Sequence, residues 1–467
     1  MKKNFLTAAA LMVTALLVAT TAAQAADVKF GGEFLTRYEV LERNDFNDST
    51  EADSYFQSRV RLDANVNVND STSAYIQLQS NRTWGDNFET ASTGADPAGN
   101  ASAGSFAAND LDASVGVHQA YFTLNNFATL PVDLRVGRQE VILDGHRLFG
   151  DTLWTMGENS HDAIRLDHKH DNISLAYAYI QGSEERRAND ANDQDDITAH
   201  LAYLNYAGIL GGKLSITYAY LNDGCGSVVS SACTNLEDDV HNIGFRQAGQ
   251  LYGIDYRGEY YYQWGDATAT RAAGLGAGTA GAAVDRDAYM FGVRIGKAFN
   301  NVTMKPSLTV WYDYLSGSSD EDARNNDYKS FNTLFDTGHK FYGLLDQFLG
   351  VGTNSATGGT RGFGLQDAAI KAKISPMPGW TVKADYHWFY TAEGVAGSNA
   401  RSGLVGNNDN DLGTELDVTV VNKYNANTTV MIGYSNFNAS STLRAMNTNI
   451  TGSADANWFY AQFHVKF

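Results

Sequence analysis

The sequence predicts an all-β protein, a transmembrane antiparallel β-barrel of about 18 strands with long extracellular loops and short periplasmic turns. Polar and apolar residues alternate with period two along most of the chain. The alternating segments run to about 10 to 14 residues, close to the roughly 9 to 11 that a tilted strand needs to cross a bilayer and well above the roughly 5 to 6 of soluble strands. The connections between them are alternately short and long, the rhythm of a barrel threaded through a membrane.

Each stretch can be read directly. Val60, Leu62, Ala64, Val66 and Val68 share one parity, and Arg59, Arg61, Asp63, Asn65 and Asn67 the other. Ala74, Ile76 and Leu78 alternate with Tyr75, Gln77 and Gln79, and Leu214, Ile216, Tyr218 and Tyr220 with Ser215, Thr217 and Ala219. The same beat runs through Ile254–Tyr262, Met304–Asp313 and Val382–Trp388. Such a pattern makes one face of a strand apolar and the other polar, and helical spacing fits none of these windows. Strands are expected to begin near residues 28, 54, 72, 115, 132, 161, 172, 196, 212, 239, 252, 286, 303, 363, 380, 412, 428 and 456. Short turns are expected at 69–71, 170–172, 207–211, 249–250, 300–301, 375–379 and 425–427. Long loops are expected at 85–114, 143–160, 183–195, 223–238, 265–285, 315–362, 392–411 and 438–455. Closure follows from the solvent: in lipid every backbone N–H and C=O must be paired, so no sheet edge can stay free. The lipid face is then apolar and the lumen polar, with Trp380 and Trp388 placed to mark the two aromatic girdles.

The ends agree. Lys2 and Lys3, an apolar run from Phe5 to Val18 and the small-x-small Ala23-Gln24-Ala25 form a signal peptide over 1–25, leaving 26–467 as one barrel domain. Cleavage leaves 53 acids against 32 bases, a net charge of −21. So acidic a chain excludes nucleic acid as a partner, because no basic surface exists to displace phosphate counterions. Trp458–Phe467 alternates again and ends on Phe467, like the terminal strand read by the outer-membrane assembly machinery. Cys225 and Cys233, eight apart in a Gly/Ser-rich stretch, are a disulfide candidate in an oxidising compartment. Gly/Ala/Ser/Thr-rich stretches at 91–108 and 267–283 read as loops, and 315–362 carries enough aromatic residues either to fold into the lumen or to cap it.

The most distinctive segment is Gly137-Arg138-Gln139-Glu140, Gly145, Arg147-Leu148, Gly150, Trp154 and Asp162-Ala163-Ile164-Arg165, preceded by His118-Gln119-Ala120-Tyr121-Phe122. It resembles the alginate-export family of outer-membrane porins. The resemblance implies an 18-stranded monomeric barrel in the bacterial outer membrane, passing an anionic polysaccharide or smaller solutes. It also implies a basic constriction, for which Arg135, Arg138, Arg147 and Arg165 are the matching residues.

Alternation adds Arg37, Arg59, Arg61, Arg257 and Arg294 to the inward-facing set, since guanidinium forks suit carboxylates and rings of like charge set pore selectivity. Nearly as many acids share that face, among them Glu33, Asp63, Asp167, Glu259, Asp313 and Asp367, so inner-wall salt bridges are expected as well. Excess acid falls in loops such as Asp320-Glu321-Asp322 and 407–411, a vestibule that repels polyanions and favours general porin passage over alginate. No Gly-x-Ser-x-Gly elbow accompanies His146, His161, His168 and His170, and no catalytic set, cofactor or metal site is expected. The expected partners are outer-membrane lipid and lipopolysaccharide, the assembly machinery, and a small hydrophilic or polysaccharide solute. The alternative function is an occluded surface barrel whose loops bind a partner or surface polymer.

Overall fold

The computed structural model describes residues 27–44, 46–84, 115–152, 154–183, 197–223, 238–268, 283–319, 321–322, 327–348, 360, 362–395, 409–446 and 455–467. The expected signal peptide, Cys225 and Cys233, and most of the low-complexity stretches lie outside the described residues.

Eighteen wall strands follow one another in chain order. They are β1 (Asp27–Glu42), β2 (Asp53–Asn69), β3 (Thr72–Thr83), β4 (Gly116–Leu124), β5 (Asp133–Gln139) and β6 (His161–His170). Then come β7 (Ile173–Ser183), β8 (Ile197–Ile209), β9 (Gly212–Asp223), β10 (Asp238–Leu251), β11 (Ile254–Thr268) and β12 (Ala283–Ala298). The last six are β13 (Ser307–Leu315), β14 (Leu365–Ile374), β15 (Trp380–Val395), β16 (Asp409–Lys423), β17 (Thr428–Ala439) and β18 (Ala456–Lys466). Every strand pairs antiparallel with its neighbours, and β18 pairs with β1 from Glu33↔Lys466 to Glu42↔Asn457, closing the barrel. Gly32 and Phe467 exchange backbone bonds of 2.9 and 3.0 Å, carrying the seam to the last residue.

Alternation decides which residues face lipid. Leu62, Val293, Ile295 and Phe463 stand on the outer surface with about half their area exposed, while Arg61, Arg257, Asp313 and Gln462 on the opposite parity are buried. Burying apolar area against lipid tails stabilises the outer face, and the polar groups turn inward, where they find partners. The turns use local side-chain bonds. Asn69 Oδ1 accepts from both Ser71 N and Ser71 Oγ at 2.9 Å, so the chain reverses within three residues.

Two stretches leave the wall and enter the lumen: 140–160, between β5 and β6, and the described part of 316–348, after β13. They join each other. Phe149 and Phe335 form a parallel bridge. Gly150 N donates to Phe335 O (2.9 Å), Phe335 N to Leu148 O (2.9 Å) and Thr337 N to His146 O (3.0 Å). Gly150 is required at this crossing, because a Cβ there would lie 2.1 Å from Thr337 Oγ1. Phe149, Phe331, Phe341, Tyr342 and Phe348 are buried between this ribbon and the wall. The aromatic stretch of 315–362 therefore folds inward, and 140–160 joins it.

Candidate functional site: the lumen and its infolded ribbon

β11, β13 and the ribbon converge on one charge cluster. Arg147, from the first infolded segment, donates through Nε (3.0 Å) and Nη2 (2.9 Å) to Glu259 Oε1, through Nη2 to Asp313 Oδ2 (2.6 Å), and through Nη1 to Tyr342 OH (2.9 Å). Its guanidinium carbon sits 3.7 Å from the centre of the Phe341 ring. A planar fork meeting two carboxylates and an aromatic face is a site that lysine cannot reproduce. Arg257 approaches the same carboxylates at 3.4 and 3.7 Å and lies over Trp311 at 4.3 Å. Arg246 lies 3.6 Å from Asp144 and 3.7 Å from Glu259. Arg294 faces Trp311 at 5.7 Å and has no carboxylate within ion-pair distance among the described residues.

Lys340, on the second infolded segment, donates to Gly145 O at 3.1 Å. Desolvation, then the guanidiniums of Arg257, Arg147, Arg294 and Arg246, push its pKa below the ordinary lysine value. Asp336 on the same segment is pushed up to about 7 by desolvation, which outweighs the pull of Arg147. Lys371 also lies over Trp311 at 4.9 Å and pairs with Asp385, and the buried Asp367 stands in register opposite Asp313.

A second cluster lies where β1, β2 and β18 meet the first segment. Arg37 donates to Gln462 Oε1 (2.9 Å), Glu39 Oε1 (3.1 Å) and Trp154 O (2.7 Å), and stacks 3.4 Å over Trp154. Trp154 is covered on its other face by His339, 4.3 Å away and near-parallel, and its edges meet Trp458 and Tyr460. Arg59 and Arg61 share Glu158 and Glu33, and Arg61 also donates to Gln79 Oε1 at 2.7 Å. Towards the periplasmic end Arg135 lies 4.7 Å over Tyr121, and Arg165 donates to Asp167 at 2.7 and 3.0 Å.

One expected lumen residue is misplaced. Arg138 pairs in register with Ala120 and Asp162, on the parity of Phe122 and the lipid-exposed Ile164, and it donates to the exposed Asp162 at 3.2 Å. It therefore stands on the outer face near the extracellular end of β5. Its motif neighbour Gln139 takes the lumen side and is fully buried. The other eight expected arginines face inward. Six of them (Arg37, Arg59, Arg61, Arg147, Arg165 and Arg257) are engaged with carboxylates, which matches the expected inner-wall pairing. Lys340, Trp311 and Asp336 were not singled out in the sequence. Lys340 and Asp336 lie in a loop whose aromatic content allowed an inward path or a cap without fixing which side chains reach the lumen, and Trp311 reads as one more strand aromatic.

A closed antiparallel barrel with a lipid-facing apolar exterior and a charged lumen crossed by infolded segments defines a porin-like outer-membrane channel. A family model described as "Alginate export" matches residues 26–456. The chain belongs to that family, and its place is the bacterial outer membrane. Solved barrels share the fold. The crystal structure of Acinetobacter baumannii OccAB1 is 14% identical with TM-score 0.54, over 94% of this chain and 97% of that one. Pseudomonas aeruginosa OpdL is 11% identical with TM-score 0.54, over 94% and 99%. A. baumannii OccAB4 is 11% identical with TM-score 0.53, over 95% and 99%. A search of curated proteins finds no match.

Proposed function

We propose that the protein is a passive porin for small hydrophilic solutes, with preference for anionic, carboxylate-bearing and sugar-like ones. The observation that carries this reading is the gathering of cations around Trp311, two of them without a carboxylate partner among the described residues. In a chain of net charge −19, Arg147, Arg246, Arg257, Arg294 and Lys340 gather where the ribbon narrows the lumen. Arg294 and Lys340 are free of carboxylate partners among the described residues, so they can hold a passing anion, and weak multi-site holding is what conduction requires. Arg147 and the arginines at Glu33 and Glu158 hold wall and ribbon in place rather than meeting solute.

The test is the reversal potential of single channels in a KCl gradient. Wild type is expected to favour Cl⁻, and Arg294→Gln with Lys340→Gln together to shift the channel towards K⁺. Unchanged selectivity in the double variant would remove these two residues from the mechanism. A second reading, an occluded surface barrel, is favoured by the backbone bonds that join the two infolded segments across the lumen. It expects no conductance from folded protein.

A further inference from the structure

The geometry points to a divalent transition-metal site, built by His118, Glu140 and Glu158, that staples both roots of the first infolded segment to the barrel wall. It does not rest on the porin reading.

The three residues come from three places. His118 lies on β4, faces inward and is 2% exposed. Glu140 is the first residue after β5, where the chain leaves the wall. Glu158 lies just before β6, where the chain returns, and is also 2% exposed. One donor atom from each lies within 4.8 Å of the others, and His118 Nε2 is 3.0 Å from Glu140 Oε1. An ion at about 2.0–2.2 Å from N and O ligands needs a modest closure of this triangle.

Two features argue that the arrangement is built. Glu158 holds a left-handed backbone, φ 46°, which a non-glycine residue adopts at a cost, and its carboxylate meets Arg59 and Arg61 of the wall. Glu140 is also left short of cations. Arg59 and Arg61 are committed to Glu33 and Glu158, Glu33 also meets His464 at 2.8 Å, and among the described residues Glu140 has His118 as its only ionic partner. Glu158 is already held by both guanidiniums, and a carboxylate has about four lone-pair directions, enough for a guanidinium and an ion together. Ion pairs behind a ligand carboxylate are the outer support that fixes a ligand's orientation. A single imidazole with two carboxylates favours Zn²⁺ or Co²⁺ over Ca²⁺ and Mg²⁺, which take oxygen ligands throughout. A partly exposed Glu140 leaves room for water to complete the shell.

The experiment uses the untagged mature barrel, refolded in detergent micelles and stripped with EDTA. CoCl₂ is titrated while visible absorption is read, and ZnCl₂ is then added. The expected result is one Co²⁺ per barrel with d–d bands, displaced by Zn²⁺ but not by Mg²⁺ in large excess. His118→Gln and Glu140→Gln should each weaken binding at least tenfold. A variant of the exposed turn, His170→Gln, should leave it unchanged. Glu140→Gln alters a partly exposed group, so it keeps the test decisive where His118→Gln fails to refold. Absence of stoichiometric Co²⁺ binding in the wild type would overturn the proposal, as would equal affinity in Glu140→Gln.

Discussion

At the scale of single residues, Arg147 is the most constrained side chain of the lumen. It is buried, ties a loop to two wall strands, and neutralises Glu259 and Asp313 together. Removing one partner of a buried pair leaves the other charges uncompensated, at about 3–5 kcal/mol. Arg147→Ala is therefore expected to lower the temperature at which the folded band is lost in heat-modifiable electrophoresis, and Arg147→Lys to restore little of it, because an ammonium cannot reach three partners in one plane. Asp336 gives a second residue-scale outcome. Its carboxyl is neutral below about 7 and charged above it. As pH rises through that value the cluster gains a negative charge, so anion preference should fall, and Asp336→Asn should flatten this step. Reversal potentials recorded between pH 5.5 and 8.5 read both effects. A wild-type preference constant over that range would contradict the assignment.

At the scale of elements, the device that shapes the lumen is the parallel contact between 146–152 and 333–337. It depends on Gly150, where any Cβ meets Thr337 Oγ1 and His146 Cβ. Gly150→Val is expected to part the two segments while leaving the wall strands paired, giving larger and noisier single-channel currents. Adding Thr337→Ala should relieve part of the clash and move the currents back towards wild type. Currents identical to wild type in Gly150→Val would show that the ribbon does not narrow the path. The wall itself was legible in the sequence because period-two alternation has one structural meaning. Expected starts at 72, 161, 212, 380, 428 and 456 coincide with observed ones. The larger errors, 286 against Ala283, 303 against Ser307 and 412 against Asp409, fall where turn or rim residues blur the ends of the alternation. The ribbon was legible only in part: the aromatic content of 315–362 left inward folding open, but not its pairing with 140–160. Its backbone bonds join residues nearly two hundred positions apart, and no local periodicity encodes such a pairing. Arg138 was misassigned for a different reason: the family motif placed it inside, whereas it stands three residues after the inward Arg135 and so on the opposite parity, the face that its register with Asp162 also gives.

At the scale of the whole molecule, a chain of strongly negative charge encloses a lumen whose charges are largely paired. Glu33, Glu158, Asp167, Glu259 and Asp313 meet arginines, and Asp367 and Asp385 meet His387 and Lys371. Glu415 and Asp417 are buried without an arginine partner among the described residues, while Arg294 and Lys340 stay unpaired on the ribbon side of β11–β13. The proposed function expects selectivity to be set by these few unpaired cations rather than by net charge, since exposed charges beyond a Debye length of about 8–10 Å are largely screened at physiological salt. The most direct test is single-channel recording of the refolded protein in planar bilayers, with the reversal potential measured in a KCl gradient. A steady open conductance with anion preference is the predicted result. Cation preference, or silence from protein shown to be folded by its heat-modifiable mobility, would contradict it.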